Sequence, residues 1–169
     1  MIPRSIHPRL RLILLCGQLV VVCVACASAY SVEFVLRPPR DVSASARDSK
    51  VTNSDIERIV RIVESVALDA GLVAREHPSK ELEESLVETY GFRPIASYQH
   101  LTGRRGLYFS VTVPNGDLEI DIVIRDFDHA DETDLTRRLK EEVNRRLRDE
   151  FTGYRIEVTE SQIDASLAP

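Results

Sequence analysis

The sequence predicts an α+β domain in which an antiparallel sheet carries helices packed on one face, preceded by an export signal. Three observations predict it. Apolar residues recur at helical spacing in residues 54–70 and again in 135–151. Between them the period drops to two: Leu107, Phe109, Val111 and Val113 alternate with Tyr108, Ser110 and Thr112. The first 29 residues follow a third pattern, with arginines, then an apolar run, then small residues. A period near 3.6 buries one stripe of a helix, whereas a period of two buries one face of a strand.

The leader comes first. Arg4, Arg9 and Arg11 precede an apolar run over residues 12–24, and Ala25-Cys26-Ala27-Ser28-Ala29 follows. This is the order of a secretory signal. Ala27-Ser28-Ala29 defines a signal peptide of residues 1–29 with Tyr30 first in the mature chain, and Ala25-Cys26-Ala27 offers a cut two residues earlier. Val24-Ala25-Cys26 resembles the last three positions of a bacterial lipobox, which implies a lipoprotein signal of residues 1–25 and lipidation of Cys26. Cys23 stands where that motif usually has leucine. An uncleaved anchor is the third reading, since residues 12–29 are barely long enough to span a bilayer.

Ser31 to Leu36 reads as a short strand, ended by Pro38-Pro39, with a loop over residues 37–51. The first helix opens on a capping box, Ser54 with Glu57 or alternatively Thr52 with Asp55. Ile56, Ile59, Val60, Val63, Val66, Ala67 and Ala70 form its buried stripe, and Gly71 stops it. Ile62 falls off that stripe and is expected at the surface. Leu72 to Ala74 is a brief strand. A shorter helix follows Pro78, capped by Ser79 and ended by Gly91, with Leu82, Leu86 and Val87 along one side.

Three strands then form a meander: Ile95 to Leu101, Leu107 to Val113, and Leu118 to Arg125. Gly103 to Gly106 and Pro114-Asn115-Gly116-Asp117 are the turns. The last helix begins near Asp131 and buries Leu135, Leu139, Val143, Leu147 and Phe151. Glu141 with Arg145 and Glu142 with Arg146 support it at i, i+4 spacing. After Gly153, Tyr154, Ile156 and Val158 alternate in a final strand. One domain therefore spans residues 30–159, followed by a flexible tail over 160–169. Without the short helix and the extra hairpin strand, the order is β-α-β-β-α-β. That order resembles a ferredoxin-like (split βαβ) core, an architecture that hosts many unrelated functions.

Composition narrows the partners. Cys16, Cys23 and Cys26 all lie in the leader, so a processed chain has no disulfide and relies on its own core. Removing the leader takes three of the 22 basic residues and leaves 19 against 27 acidic ones, a net charge of -8. Such a surface repels phosphate backbones and anionic head groups, which argues against nucleic acid and points to another envelope or secreted protein. Membrane contact would come only through a lipid on Cys26 or an uncleaved leader. Lys50, Lys80 and Lys140 are the only lysines, a bias that fits GC-rich coding and a bacterial source.

No Gly-x-Ser-x-Gly elbow, Ser-x-x-Lys pair or glycine-rich phosphate loop is present, and no catalytic, metal or cofactor residue is assigned. Asp126, Asp128 and Asp131 begin like a calcium loop, but the glycine of the sharp turn is missing and Arg137 holds the twelfth position. That segment reads as a helix cap, with Asp131, Glu132 and Asp134 at the positive helix end. His77, His100 and His129 lie in different elements. The expected contact surface is the uncovered sheet face, carrying Tyr98, Tyr108, Ser110, Thr112, Glu119 and Asp121, together with a basic hairpin tip at Arg104 and Arg105. Tyrosines supply large contact area, and sheet edges can pair with a partner chain.

The expected function is an exported, non-enzymatic binding or accessory domain of a periplasm or cell envelope, acting through that face and the hairpin tips. Two alternatives remain at this point. One is an envelope lipoprotein anchored through Cys26 with a scaffolding role. The other is a small hydrolase using a metal or a carboxylate pair such as Glu119 and Asp121.

Overall fold

The alternating segments of the sequence build a six-stranded antiparallel sheet, and its three helices complete an α+β fold. The structure, a computed structural model, describes residues 28–39, 50–100, 106–114 and 116–164. The strands are β1 (Ser28–Arg37), β2 (Val73–Ala74), β3 (Phe92–His100), β4 (Leu107–Pro114), β5 (Ile120–Asp126) and β6 (Arg155–Asp164). The helices are α1 (Asn53–Asp69), α2 (Lys80–Tyr90) and α3 (Asp134–Glu150). The sheet order is β2-β3-β4-β5-β1-β6. β5 and β6 both run antiparallel to β1, so they are parallel to each other with β1 between them. Among the described residues no helix is long and apolar enough to cross a membrane.

One face of the sheet carries the main core. Phe34, Phe109, Ile122 and Ile124 are fully buried there, and Ile59 and Val63 of α1 and Leu139, Val143 and Leu147 of α3 close over them. α1 and α3 also pack on each other. This double contact explains Ile62, which is buried rather than exposed: a helix that meets both a sheet and a neighbouring helix buries a wider arc than one stripe.

Local chemistry sets the ends of each helix. Thr52, not Ser54, caps α1: its Oγ1 accepts from the Asp55 amide at 3.2 Å, and Asp55 Oδ2 accepts from the Thr52 amide at 3.0 Å. Thr133 and Thr136 make the equivalent reciprocal pair, so α3 starts at Asp134 rather than near Asp131. Ser79 caps α2, and Gly91 ends it at φ 74°, a conformation that costs a side chain but not glycine.

Both terminal strands are longer than the alternation suggested. β1 begins at Ser28, two residues before Tyr30, and β6 continues five residues past Thr159 to Asp164. The two extensions pair with each other, Ser28 opposite Asp164, Ala29 opposite Ile163 and Tyr30 opposite Gln162. The segment expected to fray is therefore strand as far as Asp164. Its sequence, Glu160-Ser161-Gln162, carries no apolar alternation, because β6 is an edge strand held by backbone pairing and largely exposed.

β3 starts at Phe92, earlier than Ile95, and admits Pro94 at a register shift between Pro94 and Ala96. Proline lacks the amide a regular ladder needs, so a bulge is where it fits.

Candidate functional site

The second face of the sheet is not simply open. Its rows follow from strand pairing: Gln99, Tyr108, Arg125 and Ser31 form one, Ser97, Ser110, Val123 and Glu33 the next, and Pro94, Thr112, Asp121 and Val35 a third. At one end Phe127 and Ala29 are buried in a small second core, with Tyr108 and Ile163 packed against them. The Tyr108 and Phe127 rings meet edge to face with centroids 5.6 Å apart. That contact anchors Tyr108.

α2 lies along this second face, which corrects the expectation that the helices share one side. It has no buried residue. Leu82 and Leu86 of α2 face Tyr108, Ser110 and Thr112 of β4 across a groove of about 440 Å³. Phe92, Pro94 and Phe127 add apolar wall. Arg75 and Arg125 stand on either side of Tyr108: the Arg75 guanidinium lies 5.0 Å from the ring centroid, and Arg125 is the register partner of Tyr108 on β5. Arg125 is exposed and makes no ion pair among the described residues. Glu76 is the one acid in the lining, so the groove is net positive on an acidic chain.

Three of the expected contact residues, Tyr108, Ser110 and Thr112, thus come together in one groove. Tyr98 does not join them. It pairs with Phe109 on the core face, is only 5% exposed, and its ring centroid lies 6.4 Å from that of Phe109. Burial pushes its phenol pKa up. The face of β3 depends on the register of the hairpin to β4, and the residue count between the strands does not reveal that parity. Arg104, Arg105 and Cys26 lie outside the described residues.

Glu119 and Asp121 belong to a separate charged group beyond the Thr112 end of the groove. Arg37 holds Glu119 at 2.8 Å and Glu157 at 2.7 Å, and these bonds raise its guanidinium pKa. Asp121 has no such partner: its Oδ1 is buried without a hydrogen bond. Burial, reinforced by the charges of Glu119 and Glu33 and opposed by Arg37, pushes its carboxyl up to about 6. As a catalytic pair the two carboxylates are poorly matched, since Glu119 is committed to Arg37.

The acidic run after β5 is tied down internally. Asp126, 4% exposed, accepts from the Asp128 amide at 3.1 Å and lies 3.0 Å from His129 Nδ1. Asp128 Oδ2 accepts from the Gly106 amide at 2.7 Å. Glu132 pairs with Lys140 and Arg137, and Asp134 with Arg137. Each carboxylate organises the loop or the start of α3. Among the described residues no His, Cys, Asp and Glu side chains form a group that could hold a metal ion.

The residues that sequence reasoning missed are Arg75, Leu82, Leu86 and Arg125. Their signals were weak but present: a thin leucine pair on an otherwise acidic helix, and an arginine in the polar register of β5. Fold and groove together define an α+β protein with a basic, partly apolar cleft between a surface helix and a six-stranded antiparallel sheet. No protein-family model matches the chain, and no curated protein and no solved structure matches it.

Proposed function

We propose that this chain is an exported, non-enzymatic binding module of a periplasm or cell envelope. Its groove holds an extended segment of another envelope or secreted protein that carries apolar side chains and a carboxylate. One observation carries the reading: Arg75 and Arg125 flank an anchored tyrosine inside an apolar cleft, on a chain whose net charge is -5. A carboxylate docked there gains charge-assisted hydrogen bonds, while leucine and phenylalanine walls receive its apolar neighbours.

The fold supports the same reading. Strands β4, β5, β1 and β6 are adjacent in that order, with α1 after β1 and α3 between β5 and β6. We read this as a ferredoxin-like core. The segment inserted into it, β2-α2-β3, is what brings Arg75, Leu82, Leu86 and the β3 wall to the groove. Function resides in such additions rather than in the shared core.

The test uses the purified mature protein and an array of extended peptides with two or three apolar residues around one Asp or Glu. Matched peptides replace the acid with its amide or with lysine. Fluorescence anisotropy is expected to show the acidic peptides binding at least about tenfold tighter, a preference worth roughly 1.4 kcal/mol. Arg125→Glu reverses it, and Glu119→Gln, outside the groove, leaves it intact. Equal affinity for acid and amide peptides would reject the reading.

A further inference from the structure

We infer that the export leader is removed by hydrolysis of the Ala27–Ser28 peptide bond, making Ser28 the first residue of the mature protein. This rests on the reading of residues 1–27 as an export signal. The sequence alone is degenerate at the junction. Ala25-Cys26-Ala27 and Ala27-Ser28-Ala29 each present small residues at the two positions an envelope signal peptidase reads, so both bonds satisfy the motif.

The fold breaks the tie. A cut after Ala29 removes two residues of β1 and their pairs with β6, Ser28 opposite Asp164 and Ala29 opposite Ile163. It also removes a methyl group that is fully buried beside Phe127 and leaves a gap in the second core. It places the new ammonium on Tyr30, a residue only 6% exposed whose amide already donates to the His129 carbonyl at 2.7 Å. Charging a nitrogen in that setting adds a desolvation cost to the lost contacts.

A cut after Ala27 does none of this. Water adds across the Ala27–Ser28 bond, the Ala27 carboxylate leaves with the leader, and the ammonium forms on Ser28. Ser28 is the first residue of β1, is partly exposed, and lies in register with Asp164 on β6. The new positive charge therefore forms at the end of the sheet, on the residue paired with Asp164, and all ten residues of β1 remain.

The experiment is expression of the full chain with its own leader in an exporting bacterial host, followed by intact mass and N-terminal sequencing of the recovered protein. A chain starting at Ser28 is expected. A chain starting at Tyr30 overturns the junction while leaving export intact, as does a lipid-bearing chain starting at Cys26. An unprocessed chain starting at Met1 overturns the export reading itself. Ala25→Gln spoils only the first motif and is expected to strongly slow the cut after Ala27 or to move it to the Ala29–Tyr30 bond; processing to Ser28 that is unchanged in that variant overturns the proposal. Chains produced with defined termini give a second readout. The Ser28 form is expected to melt at a higher temperature than the Tyr30 form, and equal Tm values would remove the physical basis for the assignment.

Discussion

Asp121→Asn is expected to stabilise this protein near neutral pH, an unusual outcome for a substitution at a half-buried position. In the fold the carboxyl is pushed from the ordinary 3.8 to about 6, by burial first and then by Glu119 and Glu33. The unfolded chain ionises with the ordinary value, so between about pH 4 and 6 the folded state binds the extra proton. Stability therefore falls as pH rises through that window, and the penalty is complete above about pH 6. At 1.36 kcal/mol per pH unit the full difference is about 3 kcal/mol, and partial solvent access reduces it to roughly 1–2 kcal/mol. Asparagine keeps the shape, removes the charge and places no new ion on the face. Thermal melts of wild type and variant at pH 3.5, 5 and 7 read the effect. The variant should gain roughly 3–8 °C at pH 7, and most of that gain should be lost at pH 3.5, where Asp121 is protonated in the fold and largely protonated in the unfolded chain. An Asn variant that is less stable at pH 7, or whose advantage does not change with pH, would refute the account of Asp121 as an uncompensated carboxylate.

Two further substitutions test the core and a cap. Leu147→Ala removes a fully buried side chain from α3 and is expected to cost about 2–5 kcal/mol in urea denaturation; a loss under 1 kcal/mol would mean that α3 is not closed over the sheet. Thr133→Ala deletes the cap of α3, together with the 3.2 Å bond to the Thr136 amide, and is expected to cost about 1 kcal/mol, measured by the same method, whereas Ser at that position should retain most of it.

The core was legible because its chemistry is local. The alternation of Leu107 to Val113 and Ile120 to Ile124 names the buried face of two neighbouring strands, and the fourfold spacing of Leu139, Val143 and Leu147 names the stripe of α3. Ser79 and Gly91 punctuate α2 by side-chain and backbone preferences that act within one turn. What was not legible depends on pairing across distance. Tyr98 sits on the core face because of hairpin register, and Ser28, Ala29 and Glu160 to Asp164 are strand because each extension holds the other. The groove is a harder case. Tyr108, Ser110 and Thr112 could be placed on one face from their spacing, but Arg75 reaches them only because β2 sits beside β3 at the far edge of the sheet.

The helix that walls the groove should also be its mobile part. α2 is eleven residues long, a length that is marginal for a helix in water without tertiary support. Its support is thin: no residue is buried, Leu82 is 52% exposed, and Leu86 and Val87 are only half-buried. α1 and α3, at seventeen residues each, bury Ile59, Val63, Leu139, Val143 and Leu147 against the sheet. Opening free energy follows buried contact, so α2 should unfold locally while the rest of the domain stays folded. Native-state hydrogen exchange is expected to show α2 amides exchanging at least about a hundredfold faster than the central amides of α3, a gap of roughly 2.7 kcal/mol. An acidic, apolar peptide that fills the groove adds contacts to Leu82 and Leu86, and saturating peptide should slow exchange in α2 more than in α3. Protection of α2 equal to that of α3 in the free protein would mean that the helix is held by more than its visible contacts. Unchanged α2 exchange in the presence of bound peptide would place the ligand elsewhere on the surface, and the groove would lose its role.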